Sequence, residues 1–276
     1  IDSLLAKVSV DKQLDISPRV GISFPITVNS KLYFNYGHFR SMPTPENLFL
    51  LRRYSDNNQV IRIANPNNPL PKTVAYELGY EQNVFDEFLV RVAGYYKDVS
   101  LQSRLVYYVN NNNVVSYQKS EPNNYQDVRG FELTLTKNRG NWVQGFINYT
   151  YDVRTSGNFG FEYYYQNISR QTNYEATTRS YYQEKPLPRP FANANIDVFT
   201  PSEFGPNLGN QYLLGDLRMS FVTSWTSGRY VTWAGGGTVT GVENNLQWAD
   251  NWNVDLRISK TFKLMGVNLQ IFADIS

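Results

Sequence analysis

Residues 142–153 read WVQGFINYTYDV. Val143, Gly145, Ile147, Tyr149, Tyr151 and Val153 share one parity. Gln144, Asn148, Thr150 and Asp152 share the other, and only Phe146 breaks the rule. Successive residues of a strand point to opposite faces, so this stretch is a strand with one apolar and one polar face. Whether the apolar face meets a protein core or lipid decides the fold.

The alternation recurs along the chain. It is present in SPRVGISFPI (17–26), KLYFNYGHF (31–39), TVAYELGYEQ (73–82), FLVRVAGYYKD (88–98) and RGFELTLTK (129–137). It continues in FANANIDV (191–198), LRMSFVTSW (217–225), WNVDLRISKTF (252–262) and VNLQIFADI (267–275). With the opening stretch these give about ten strands, and helical periodicity is almost absent. TVNS (27–30), VFDE (84–87), NRGN (138–141) and KLMG (263–266) are tight hairpin turns. Between them lie long polar segments, 41–71, 99–125, 155–187 and 227–249, expected as irregular loops. One turn on the short side, 200–214, is longer than its fellows. The short–long order places every long loop at one end of an antiparallel meander.

The chain has 276 residues, with 26 Lys plus Arg against 24 Asp plus Glu. That balance argues against a nucleic-acid binder, which carries a basic stripe. The absence of Cys excludes disulfides and thiolate metal sites, and the single His, His38, excludes a multi-histidine centre. No metal or cofactor is expected. No nucleophile–base–acid set is visible, because the only possible His base stands alone, so the chain is read as not an enzyme. No run of 18 apolar residues exists, but a barrel strand crosses a bilayer with only about 9–11 residues, alternately apolar. The chain opens on Ile1 and stops at Ser276 inside an alternating run. It is therefore expected to be one partial barrel domain over residues 1–276.

A soluble antiparallel sandwich alternates in the same way. Three features favour lipid. The strands are long, often ten residues or more, against about 5–6 in globular sheets. The long loops share one side. Aromatic residues gather at strand ends on the apolar parity: Tyr36, Tyr80, Tyr96, Tyr149, Tyr151, Trp225 and Trp252. Such rings form girdles at the bilayer interface. On the polar parity Glu77, Arg91, Glu132, Asp197, Asp255 and Arg257 lie well inside strands, where a wet lumen accommodates charge. The fold class is all-β, an antiparallel transmembrane β-barrel meander.

Several segments resemble TonB-dependent outer-membrane receptors. They are SPRVGISFPITVNSKLYFNYGHF (17–39), NPNNPLPKTVAYELGYEQ (65–82), VRVAGYYKDV (90–99), VRGFELTLTK (128–137) and WNVDLRISKTFKLMGVNLQIFADIS (252–276). The resemblance extends over roughly residues 14–276. It implies about ten strands of a barrel of about 22, with a plug domain that these residues do not include. It also implies a Gram-negative outer membrane, import of a siderophore, cobalamin or oligosaccharide, and energy from TonB. The implied partners are TonB, outer-membrane lipid, an extracellular ligand and a surface lipoprotein. A passive porin-like channel, or a surface adhesion barrel without transport, is the alternative.

Long loop 159–183 carries Tyr163, Tyr164, Tyr165, Tyr174, Tyr181 and Tyr182, expected to capture ligand by stacking and hydroxyl hydrogen bonds. Packing of the loop against its neighbours would use the same rings. Arg52 and Arg53 could attract an anionic ligand. Arg91, Glu132, Asp255 and Arg257 are expected to line the lumen, either along a transport path or ion-paired within the wall. Phe146 is left unexplained by parity; packing against a plug would account for it. Gly235–Gly237 and the NYT and NIS sequons at Asn148 and Asn167 carry no function in this setting.

Overall fold

The computed structural model describes residues 9–56, 59–112, 116–178, 181–184, 187–209, 211–233, 235, 244–264 and 267–276. Ten wall strands follow in chain order: β1 (Arg19–Thr27), β2 (Ser30–Arg40), β3 (Lys72–Val84), β4 (Phe88–Val109) and β5 (Ser116–Lys137). Then come β6 (Val143–Phe159), β7 (Phe191–Phe199), β8 (Leu217–Thr226), β9 (Asn251–Leu264) and β10 (Val267–Ile275). Each pairs antiparallel with the next, and β1 and β10 are the two outer edges of the sheet.

The register carries each parity across the wall. Leu32, Tyr80, Val92, Leu133, Tyr149, Ala192, Trp225 and Trp252 form one row on one face. Lys31, Glu81, Arg91, Thr134, Asn148, Asn193, Ser224 and Asn253 form a row on the other. Only five apolar side chains are buried among the described residues: Tyr33, Leu48, Ala64, Ala93 and Val106. Ile22, Phe24, Leu78, Leu133, Ile147 and Val254 are exposed on the apolar face. Five buried side chains cannot hold a soluble domain of this size, because apolar burial is the main favourable term in folding. Lipid supplies the missing contact.

The aromatic residues on that face form a band in two groups. Tyr36 lies 5.1 Å from Tyr76, which lies 6.4 Å from Tyr96. Farther along, Phe131 stacks on Tyr151, Tyr149 lies 6.4 Å from Trp225, and Trp225 lies 5.8 Å from Trp252. The band sits towards the long-loop end, as the interface girdle requires.

Local chemistry explains the turns and irregularities. At the β3–β4 turn, Phe85 and Asp86 take φ of 55° and 57°, the left-handed geometry that matches the twist of a hairpin. The KLMG turn includes residues 265–266, which lie outside the described residues, as do residues 236–237 of the triple glycine. On the polar face the Tyr33 ring lies across Gly79 so closely that a Cβ there would stand 2.1 Å from Cζ of the ring. That position carries the Tyr33 hydroxyl to Arg91.

Segments expected as irregular loops contain more order than the sequence suggests. Residues 99–109 and 116–125 continue β4 and β5 as a hairpin beyond the wall. Leu101, at φ 61°, marks a bulge between Val99 and Gln102, where an extra residue bends the strand as it leaves the wall. Two helices were not anticipated: α1 (Pro45–Phe49) and α2 (Ile168–Thr177). The second starts where the Asn167 side chain accepts the Arg170 N–H at 3.1 Å, a cap that satisfies an otherwise orphaned donor. Among the described residues no helix is long and apolar enough to cross a membrane, which says nothing about crossing by strands.

Gly145 gives a test of the wall. Its φ is 146°, and a Cβ there would stand 2.1 Å from the Asn195 carbonyl oxygen on β7. Gly145→Val should cost at least about 3 kcal/mol by forcing a strained backbone and parting β6 from β7. The expected readout is loss of the heat-modifiable folded band of the full-length protein on electrophoresis; an undiminished band would contradict the close approach.

Candidate ligand surface and lumen

Beyond the Leu101 bulge, β4 and β5 present aromatic side chains on both faces of their hairpin. The short strand Tyr163–Tyr165 adds to β4 in parallel, setting Tyr163 against Tyr107, Tyr164 against Tyr108 and Tyr165 against Val109. Two backbone hydrogen bonds hold it: Tyr107 N–H to the Glu162 carbonyl (2.8 Å) and Gln166 N–H to the Val109 carbonyl (2.9 Å). An Arg104–Glu162 ion pair joins the same two segments.

On one face Tyr107 stacks on Tyr163 with centroids 4.7 Å apart. Tyr163 lies 6.1 Å from Tyr165, and Tyr174 of α2 meets both edge-on. On the other face Tyr108 stacks between Tyr117 (5.4 Å) and Tyr164 (5.5 Å). That stack borders a cavity of about 400 Å³, whose lining also includes Tyr165, Asn110 and Gln166. The polar groups bordering it are phenols and amides. Burial, with the Glu121 carboxylate adding to it, pushes the Tyr108 hydroxyl up to about 12. Burial also raises Tyr163 and Tyr174.

The six tyrosines named from the sequence thus divide. Tyr163, Tyr164, Tyr165 and Tyr174 come together. Tyr181 and Tyr182 lie on a short strand paired with β6 opposite Phe159 and Asn158. Sequence reasoning missed Tyr107, Tyr108 and Tyr117. The signal was present, because LVYYV (105–109) and SY (116–117) flank an Asn-rich turn, the mark of a hairpin.

Arg52 and Arg53 are exposed on the short strand Leu51–Arg53 and do not line that cavity. The strand Val60–Ile63 beside it pairs in parallel with β5 at Gln118 and Lys119. Asn68 fixes this loop. It is 1% exposed, donates to Ser120 Oγ (2.9 Å) and Ser103 Oγ (3.3 Å), and accepts from Asn65 Nδ2 (3.1 Å). The NPNNPLP stretch is therefore a polar clasp onto the β4–β5 hairpin.

On the lumenal face Arg91 donates to the Tyr33 hydroxyl (2.7 Å) and to Glu77 (3.3 Å), with Glu81 at 3.7 Å. Lys31 pairs with Glu81 at 2.8 Å. Glu132 accepts from Asn148 Nδ2 at 2.8 Å. Arg91 and Glu132 both line a cavity of about 560 Å³, together with Asp152, placed on the polar face by parity, and with Tyr95, Lys97 and Arg154, which the sequence did not single out as a site. Arg257 instead makes a forked pair with Asp274 (2.6 and 2.9 Å), and Asp255 accepts from Asn253 (3.0 Å). The wall therefore pairs most of these charges within itself. His38 shares a 2.5 Å hydrogen bond with the Tyr36 hydroxyl at the end of β2. Phe146 projects on the lumenal face, 41% exposed, level with Asn195 and then Val222, itself 50% exposed.

A family model described as TonB dependent receptor-like, beta-barrel, matches residues 6–275. No curated protein sequence matches the chain. Among solved structures, the outer membrane transporter YddB from Escherichia coli superposes with a TM-score of 0.60 at 12% identity, covering 94% of this chain and 36% of that one. The FrpB iron transporter from Neisseria meningitidis (F3-3 variant) aligns with a TM-score of 0.48 at 12% identity, over 94% of this chain and 34% of that one. The chain thus spans about a third of the length of these structures.

The raised Tyr108 hydroxyl has a measurable consequence. A phenol held above its ordinary value of 10.0 favours the folded state while it is protonated, fully so below pH 10. That contribution should fall as pH rises from 10 towards about 12. Ultraviolet difference titration should find one phenol ionising near the upper limit, absent in Tyr108→Phe. A titration unchanged by the substitution would contradict the packing.

Proposed function

Because the chain belongs to the TonB-dependent receptor-like β-barrel family, we propose that it forms part of the wall of an active transporter importing a scarce nutrient. The wall lies in the outer membrane of a Gram-negative cell. The observation that carries the reading is the aromatic cavity of about 400 Å³ raised above a wall with a polar inner face. Its rings supply flat apolar area at low entropic cost, and Asn110 and Gln166 supply hydrogen bonds that orient a ligand. The ligand belongs to the siderophore, cobalamin or oligosaccharide class. TonB delivers the energy by acting on an N-terminal plug domain of the same polypeptide, which clears a path along the polar lumen. Arg91, Glu132, Asp255 and Arg257 keep that path wet, and their neighbours hold them in place.

Two results test this. The gene is expected to encode a plug domain upstream of Ile1, and a full-length gene without one would favour a passive channel. In the full-length protein, Tyr108→Ala with Tyr164→Ala should weaken uptake of the transported ligand by about tenfold or more. Removing buried aromatic contact costs about 1.5–3 kcal/mol per ring, and 1.4 kcal/mol is tenfold. Competition uptake with ferric siderophores, cobalamin and oligosaccharides would make the measurement; unchanged uptake after deletion of 159–183 would remove the capture role.

A further inference from the structure

A third cavity, of about 400 Å³, lies at the rim of the lumen on the long-loop side. Phe191, the first residue of β7, and Thr226, the last of β8, face each other there in register on the lumenal parity. The cavity therefore opens inward, away from the face that meets lipid. Its charged lining is three arginines, Arg154, Arg189 and Arg229, and one carboxylate, Asp152.

The balance of these groups is uneven. Arg154 is committed to Asp152 through Nε and a terminal nitrogen, both at 3.0 Å. Arg189 spends Nε on the Ser227 carbonyl (2.9 Å), which holds the guanidinium still and leaves its other N–H groups for an acceptor. The Arg229 backbone is pinned by the Trp248 N–H donated to its carbonyl (3.0 Å). Among the described residues its guanidinium has no carboxylate partner. Two guanidinium charges therefore face the cavity uncompensated by a described carboxylate. The neighbouring cavity deeper in the wall differs: Glu77, Glu132 and Asp152 balance Arg91, Lys97 and Arg154. Of these two cavities, counted over the described residues, the rim cavity carries the positive excess.

We propose that this rim pocket binds a small multivalent oxyanion, presented as carboxylate or phosphate groups on a soluble ligand. Guanidinium forks match the planar geometry of both groups, and a concave site with low-dielectric walls focuses the field. The volume suits a compact molecule. A lipid phosphate cannot reach it, because the bilayer lies on the opposite face of the sheet. The site is separate from the tyrosine cavity and stands whether or not that cavity captures ligand.

The test uses the full-length protein in non-ionic detergent, titrated calorimetrically with inorganic pyrophosphate and with succinate. At least one probe should bind saturably, and its affinity should fall with added salt. Arg229→Gln should weaken binding about tenfold, and Arg189→Gln with Arg229→Gln should abolish it. Arg229→Lys should restore part of the loss. Arg139→Gln removes the same charge from the short turn at the opposite end of the wall and should leave affinity unchanged. The preferred probe distinguishes phosphate from carboxylate chemistry. No saturable binding of either probe, or equal affinity in the Arg229→Gln and Arg139→Gln proteins, would overturn the proposal.

Discussion

Every feature of this chain depends on one constraint. In a bilayer no water is available to satisfy backbone N–H and C=O groups, so each strand must complete its hydrogen bonds on its neighbours. The antiparallel ladder meets that demand on both sides of β2 to β9, and on one side of the edge strands β1 and β10. Once the ladder is fixed, side chains have only two directions available. One receives apolar and aromatic residues, and the other receives Arg, Glu, Asn and Thr. A sheet with few buried apolar side chains is then stable, because the lipid takes the place of a core.

The same constraint shapes where chemistry can appear. Charge on the inner face is tolerated because it is wet, and it is neutralised where strands bring opposite signs into register. Arg91 with Glu77 and Glu81, and Arg257 with Asp274, are such pairs. Pairing of this kind is worth little at exposed sites. Its effect is to leave little net charge where the pairs lie on the inner face. Glu132 and Asp255, by contrast, are held by amide donors from Asn148 and Asn253, and the two arginines of the rim cavity stand where the chain leaves the ladder.

Alternation made the wall legible. WVQGFINYTYDV identified its two faces correctly, and the exposed Ile147 and the lumenal Asn148 stand where parity put them. Phe146 shows the limit. Across the strands it lies in a lumenal row with Leu89, Thr136, Asn195, Val222 and Asp255, three of them apolar with Phe146 counted among them. No local pattern announces that Leu89, Phe146 and Val222 will share a level, because the row is assembled from six strands. The long segments failed for a related reason. The parallel docking of Tyr163–Tyr165 on β4, and of Val60–Ile63 on β5, joins residues more than fifty positions apart. Arg52 and Arg53 drew notice because charge is visible in sequence, whereas the stacking of Tyr108 between Tyr117 and Tyr164 is a product of the hairpin and its parallel neighbour.

The Tyr33 ring over Gly79 carries a consequence for assembly. The smallest slip between β2 and β3 that keeps both faces correct is two residues. Such a slip would drive the ring into Glu77 or Glu81 in place of the vacant glycine position, and would separate its hydroxyl from Arg91. The pair therefore works as a proofreading contact: a misaligned hairpin loses both the slot and the hydrogen bond at once. It also ties the two positions together over evolutionary time, since Gly79 cannot gain a side chain before Tyr33 gives up its ring.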